Sequence, residues 1–209
     1  MPVAPLVYPA KGFDCYAGTL STDVLATAFD AGAAFVVHYY GGSHGKDLTA
    51  ASLKATSAAG MWCGAVFEGG GDNVGFFTSS QGADDAKEAI AQAQAAGQPL
   101  GSAIYFAVDF GPLPGQLASN IVPYFGTVAA RVRSAGYKVG AYACGTVLGG
   151  LDSMKLIDYR WLAGAMGWPG SRGYQDANMV QGAPPSDVYG LGFDVDPDTA
   201  YSEAGLFHL

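Results

Sequence analysis

A chain of 209 residues, half of them apolar, can bury a substantial core, and its composition does not suggest disorder, a collagen repeat or a disulfide scaffold, while its 31 glycines and only 13% charged residues favour tight connections over long solvated helices. A formal net charge of −8, with only ten Lys and Arg, counts against nucleic acid and anionic lipid surfaces, which draw affinity from clustered cations, and leaves neutral glycans or amino-bearing partners. No apolar run approaches the roughly 20 residues of a membrane span.

The amino terminus, MPVAPLVYPAKGFD, has neither a basic leader nor an apolar h-region, so no signal peptide is expected in this chain. Cys15, Cys63 and Cys144 are odd in number and widely spaced, which reads as buried thiols rather than a disulfide framework or a zinc site.

In chain order, β-rich runs fall at 11–16 (KGFDCY), 34–40 (AFVVHYY), 61–68 (MWCGAVFE) and 103–110 (AIYFAVDF). Four more follow at 138–143 (KVGAYA), 159–163 (YRWLA), 173–175 (GYQ) and 192–196 (GFDVD). Between the first two, Ser21-Thr22-Asp23 offers an N-cap before Val24, Leu25, Ala28 and Phe29 at helical spacing, with Gly32 as a stop. Residues 84–96 (DDAKEAIAQAQAA) are rich in helix formers and end before Gly97 and Pro99. Ile121, Val122, Phe125, Val128 and Val132 form another apolar stripe, closed by Gly136, with Pro123 in a first turn or at a kink. Residues 164–173 and 181–189 read as loops. This rhythm predicts an α/β fold, one (β/α)8 barrel of TIM type over residues 1–209, irregular in its second half.

Barrels of this kind carry chemistry at the carboxyl ends of their strands. Those ends hold Asp14, then Tyr39 and Tyr40, Glu68, Asp109, Tyr142, Trp161 within the sixth run, Gln175, and finally Asp194 and Asp196. Carboxyl pairs for proton transfer and water or nucleophile activation, beside aromatic faces for pyranose rings, suit sugar chemistry. Asp14, Glu68, Asp109 and Asp196 are the candidate catalytic residues; Tyr39, Tyr40, Tyr142, Trp161, Gln175 and Asp194 are the candidate substrate contacts. Crowded, buried carboxyls would raise one pKa and create a proton donor. Asp at a strand end also caps helices, and Asp23, Asp84, Asp85 and Glu88 read that way. His38, His44 and His208 lack metal-ligand spacing, so neither a metal nor another cofactor is expected. Residues 41–45 (GGSHG) and 68–72 (EGGGD) lack the P-loop lysine and read as rim loops.

The segments GFDCY, FVVHYY, IYFAVDF, VGAYA, RWLAG, GYQ and FDVDPD, in that order over nearly the whole chain, resemble the glycoside-hydrolase-like domain family of bacterial and phage proteins. That family is similar to the family 25 muramidases, lysozymes built on a β/α barrel. By this resemblance Asp14 matches the first-strand aspartate, Asp109 the first acid of a fourth-strand Asp-x-Glu motif, and Asp196 the last-strand aspartate. Trp161 and Gln175 match late cleft segments. The resemblance implies hydrolysis of the β-1,4 bond between N-acetylmuramic acid and N-acetylglucosamine, with a fourth-strand carboxylic acid as proton donor. This chain departs at that donor, because Gly111 stands two residues after Asp109.

Glu68, on the neighbouring strand, is expected to serve as the substitute acid with Asp109 as its partner. The expected function is hydrolysis of peptidoglycan or a related bacterial cell-wall glycan by a monomer, outside the cell, at the envelope or in a phage particle. The competing expectation is a catalytically silent carbohydrate-binding or structural module on the same barrel. A barrel enzyme for small phosphorylated substrates is disfavoured, since no phosphate loop precedes a helix start late in the chain.

Overall fold

Period-two alternation in short strands, separated by capped helices, sets the architecture. The computed structural model describes residues 5–15, 19–41 and 48–209. Tyr16 and residues 42–45 of the predicted rim loop, His44 among them, lie outside the described residues. Strands β1 (Ala10–Asp14), β2 (Phe35–Tyr40), β3 (Trp62–Phe67), β4 (Ala103–Ala107), β5 (Lys138–Ala143), β6 (Tyr159–Leu162) and β7 (Met179–Gln181) pair parallel in sequence order. Strand β8 (Asp196–Ala200) runs antiparallel to both β7 and β1 and closes the barrel.

Helices α1 (Thr22–Asp30), α2 (Ala50–Ala58), α3 (Ser79–Ala96), α4 (Val122–Ser134) and α5 (Gly145–Ser153) make the crossovers from β1 to β6. The hydroxyls of Ser21, Thr49 and Thr78 cap the first three by accepting from the amides of Val24, Ser52 and Gln81. Helix α2 buries Ser52, Leu53, Thr56 and Ser57, a mixed face that apolar spacing does not reveal. Pro123 sits in the first turn of α4, after one π-helical turn at Leu117–Ile121. Among the described residues no α-helix connects β6 to β7 or β7 to β8, so the second half is irregular.

Two strands differ from the spacing-based expectation. Residues 173–175 are not a strand: Gly173, at φ +77, ends a turn and irregular chain follows it, and the seventh strand forms later, where buried Met179 pairs with Trp161. Residues 192–194 stay outside the sheet because Gly190 and Gly192 adopt φ +70 and +81 while the Asp187 carboxylate accepts from the amides of Leu191 and Gly192. The last strand therefore begins at Asp196 rather than ending there.

Alternation divides the core in two. Phe35, Val37, Val66, Tyr105, Ala107 and Trp161 fill the barrel interior, whereas Tyr40, Phe67, Phe106, Phe125 and Val128 pack between sheet and helices. Each fully buried large side chain contributes on the order of 1.5–3 kcal/mol. Cys63 and Cys144 are buried thiols and Cys15 is half-buried. His38 is a core histidine, its Nε2 2.9 Å from Thr56 Oγ1, and burial pushes its pKa down to about 4.

Loop 164–173 is anchored on α5 by close backbone approach. A Cβ on Gly145 would stand 2.1 Å from the Gly170 carbonyl oxygen, and the Gly145 amide donates to Ser171 Oγ at 3.3 Å. Gly145→Ala is expected to destabilise the protein by about 1–3 kcal/mol through overpacking, seen as a lowered urea midpoint with an unchanged slope.

Candidate functional site

The carboxyl ends of the parallel strands surround a cleft of about 250 Å³. Its walls follow from inward alternation: Tyr39 continues the phase of buried Phe35 and Val37 along β2, Ala107 and then Asp109 that of Tyr105 along β4, and Tyr142 that of Gly140 along β5. Glu68 follows Val66 in the same phase just beyond β3, and Gln181 ends β7. Asp196 reaches this mouth for a different reason. Because β8 is antiparallel, its first residue lies opposite Asp14, the last residue of β1. Glu68, Asp109 and Asp196 thus line one cleft with Tyr39, Tyr142 and Trp161.

A backbone link ties two of these acids together. The Asp109 amide donates to the Gly71 carbonyl at 2.8 Å, so the Gly69-Gly70-Gly71 segment after Glu68 is held against the end of β4. A Cβ on Gly71 would stand 3.0 Å from the Ala107 carbonyl oxygen, which makes glycine the residue that permits this approach.

Beneath the cleft lies a buried polar floor. Asp14, 1% exposed, accepts from the Tyr39 hydroxyl at Oδ1 and from Gln181 Nε2 at Oδ2, the latter at 2.7 Å. Gln181 Oε1 in turn accepts from the Tyr142 hydroxyl at 2.8 Å. Trp161 Nε1 donates to Asp198 Oδ1 at 2.8 Å. Burial is the foremost cause that pushes Asp14 up to about 6; the Tyr39 and Gln181 hydrogen bonds oppose it and the Asp196 charge adds to it. Burial raises Asp196 as well. Asp198 is held well above the ordinary carboxyl range by burial and then by the charge of Asp14.

Of the predicted site residues, Tyr39, Glu68, Asp109, Tyr142, Trp161 and Asp196 line the cleft, and Asp14 lies under it, acting on two wall residues. Trp161 is 1% exposed and packs edge-on against Tyr142, with ring centroids 4.8 Å apart, so it gives the cleft an edge rather than a stacking face. Tyr40, next after inward Tyr39, points outward and donates to Gln98 Oε1 in the helix layer. Gln175 is exposed in the loop before β7, where its side chain donates to the Gly173 carbonyl. Asp194 is exposed ahead of β8. Gln181 and Asp198 are the additions, and the period-two spacing of Asp194, Asp196 and Asp198 in FDVDPD is the signal that could have found the latter.

Gly111 has a structural counterpart. A Cβ there would meet Pro169 Cδ at 3.0 Å and Trp168 Cδ1 at 3.1 Å, so loop 164–173 occupies the space next to a side chain at this position. Among the described residues no cluster of His, Cys, Asp and Glu has the geometry to hold a metal ion.

Residues 26–182 match the family described as Rv2525c-like, glycoside hydrolase-like domain. The chain is 28% identical to YbfG from Bacillus subtilis (strain 168) over 128 residues, 57% of this chain but only 18% of that protein. Among solved structures, it is similar to the Tat-secreted protein Rv2525c of Mycobacterium tuberculosis, with a TM-score of 0.80 and 22% identity over 94% of this chain and 98% of that one. A bacterial lysozyme from Streptomyces coelicolor superposes with a TM-score of 0.60 and 16% identity, covering 94% of each chain. A family 25 glycosyl hydrolase from Bacillus anthracis gives a TM-score of 0.55 and 14% identity over 94% of this chain and 90% of that one. At these identities the structural likeness is one of fold.

Proposed function

The chain belongs to the Rv2525c-like, glycoside hydrolase-like domain family, and from that premise we propose that it hydrolyses a bacterial cell-wall glycan in the mouth of its barrel. The observation that carries this reading is the presence of Glu68 and Asp109 in one cleft, on adjacent strands, with their backbones tied through Gly71. In the proposed reaction Glu68 protonates the glycosidic oxygen as the bond to the leaving sugar breaks. Asp109 then either takes a proton from the water that attacks the anomeric carbon, or attacks that carbon itself to form a glycosyl ester, which water deprotonated by the now ionised Glu68 hydrolyses to free Asp109. Asp196 adds a third carboxyl at the mouth, and Tyr39 and Tyr142 meet the sugar. Asp14 orients both tyrosines, Tyr39 directly and Tyr142 through Gln181. No step calls for a cofactor.

The lysozyme and family 25 hydrolase that share the fold support the glycan as substrate class. Secretion of the Mycobacterium tuberculosis relative supports a place outside the cell or at the envelope. The cleft is built within one barrel, which supports action of that barrel as a monomer. The deciding experiment incubates the protein with peptidoglycan from several bacteria and reads new reducing ends by mass spectrometry, with a pull-down on the same glycan in parallel. Release establishes the hydrolase; capture without release replaces it with a binding module; the absence of both release and capture sinks the substrate class.

The binding-module reading draws on Gly111 and on the Trp168–Pro169 segment beside it. If Glu68 is the donor, restoring an acid at 111 should bring no gain. Gly111→Glu is expected to leave reducing-end release at or below the wild-type level and to lower stability by about 1–3 kcal/mol, because its side chain must displace Trp168 or Pro169. A tenfold rise in release would move the donor to position 111.

A further inference from the structure

The floor of the cleft holds two adjacent buried carboxyls with fewer donors than oxygens. Asp14 lies across from Asp196, and Asp198 across from Gly12 and Gln181, so Asp14 and Asp198 are diagonal neighbours facing the barrel interior within hydrogen-bonding reach of each other. They are 1% and 2% exposed. Tyr39 and Gln181 supply a donor to each oxygen of Asp14, and Trp161 supplies one to Asp198 Oδ1. Asp198 Oδ2 is buried and has no donor.

Among the described residues no positive charge compensates the pair. The groups facing it are Tyr39 from β2, Tyr105 from β4, Tyr142 from β5 and Gln181 from β7, with the carboxyls of Glu68, Asp109 and Asp196 above. Arg160 of β6 is engaged by Asp152 at 2.7 Å. Two neighbouring anions buried without a cation are costly, and a single proton between them both removes a charge and provides the missing donor.

We propose that Asp198 is a positioning residue that carries a proton on Oδ2 at neutral pH and donates it to Asp14, which stays anionic and orients Tyr39 and Gln181 in the cleft wall. Trp161 decides which oxygen bears the proton, because Oδ1 already accepts its indole N–H. Asp14, with three donors, is the stable anion of the two. Its charge fixes the Gln181 amide with Nε2 toward Asp14 and Oε1 toward Tyr142. A second proton, taken as pH falls through about 6, removes the charge that both wall residues address. The consequence for glycan turnover rests on the hydrolase reading; the protonation state of the pair does not.

Carbon-13 NMR of the aspartate side-chain carboxyls, followed from pH 4 to 8 in the whole protein, tests the pair directly. One buried aspartate should remain protonated at pH 7, and a second should titrate near 6. In Asp198→Asn the carboxamide keeps the Trp161 bond and donates permanently to Asp14, as the protonated carboxyl does, so the Asp14 midpoint should stay near 6. Asp198→Ala removes the donor and should lower reducing-end release at least tenfold, and Asp198→Asn should restore most of that loss. Two ionised carboxyls at pH 7, or an asparagine variant as impaired as the alanine one, overturns the proposal. Should the wild type release nothing, the NMR titration still decides the pair, and only the glycan reading fails.

Discussion

Glu68→Gln is expected to lower the release of reducing ends from peptidoglycan by roughly 10²- to 10⁴-fold, the usual contribution of a positioned proton donor. Glutamine keeps the side-chain length and its hydrogen-bonding capacity, so the loss would report the missing acid rather than a rebuilt cleft. Pull-down on the same glycan should be unchanged, because Tyr39 and Tyr142 still line the wall. Asp109→Asn should cost a similar factor with the same retention of binding, since its backbone bond to Gly71 does not depend on the carboxylate. Full activity in Glu68→Gln would remove Glu68 from the mechanism and leave Asp196, raised by burial at the same mouth, to be tested as donor by Asp196→Asn.

The sequence carried the barrel because its first six strands and their crossovers obey local rules. Ser21 caps α1, Gly97 ends α3 at φ +77, and Pro123 marks the start of α4, each through a backbone requirement readable from neighbouring residues. The last two strands escaped because tertiary pairing decides them. DPDTA contains a proline and two aspartates and has no strand propensity of its own; it becomes β8 because it closes the barrel between β7 and β1.

That reversal also shaped what could be read of the site. The spacing of FDVD makes Asp196 a strand's end, whereas it is a strand's start and faces the mouth only because β8 runs backward. Tyr40 was grouped with Tyr39, although alternation sends neighbouring residues to opposite faces of a strand. Gln175 stands where GYQ ends, but the glutamine that meets Asp14 and Tyr142 is Gln181, six residues on and fixed only by the register with Asp198.

The buried pair should make the fold more stable in mild acid than at neutral pH. Asp14 titrates at about 6 in the folded protein against 3.8 for an unperturbed aspartate. A group whose folded pKa is raised contributes stability that is fully present below the unfolded value and lost as pH rises through the folded one. Between about pH 4 and pH 6 the native state therefore binds the extra proton, and ionising Asp14 by pH 7 costs on the order of 3 kcal/mol. Asp198, shifted in the same direction, adds to the trend. His38 acts in the opposite sense, because burial pushes its pKa down to about 4 and the folded state forgoes a proton that the unfolded chain takes up below about 6.5, but it is one group against the two carboxyls. Urea midpoints should accordingly rise as pH is lowered from 7 toward 5. The comparison that isolates the pair is Asp198→Asn, which leaves His38 and the raised carboxyl of Asp85 in place while removing one buried acid. Its midpoint should exceed that of the wild type at pH 7 and vary less between pH 7 and 5; parallel curves for the two proteins would show that the pair holds no proton in this range.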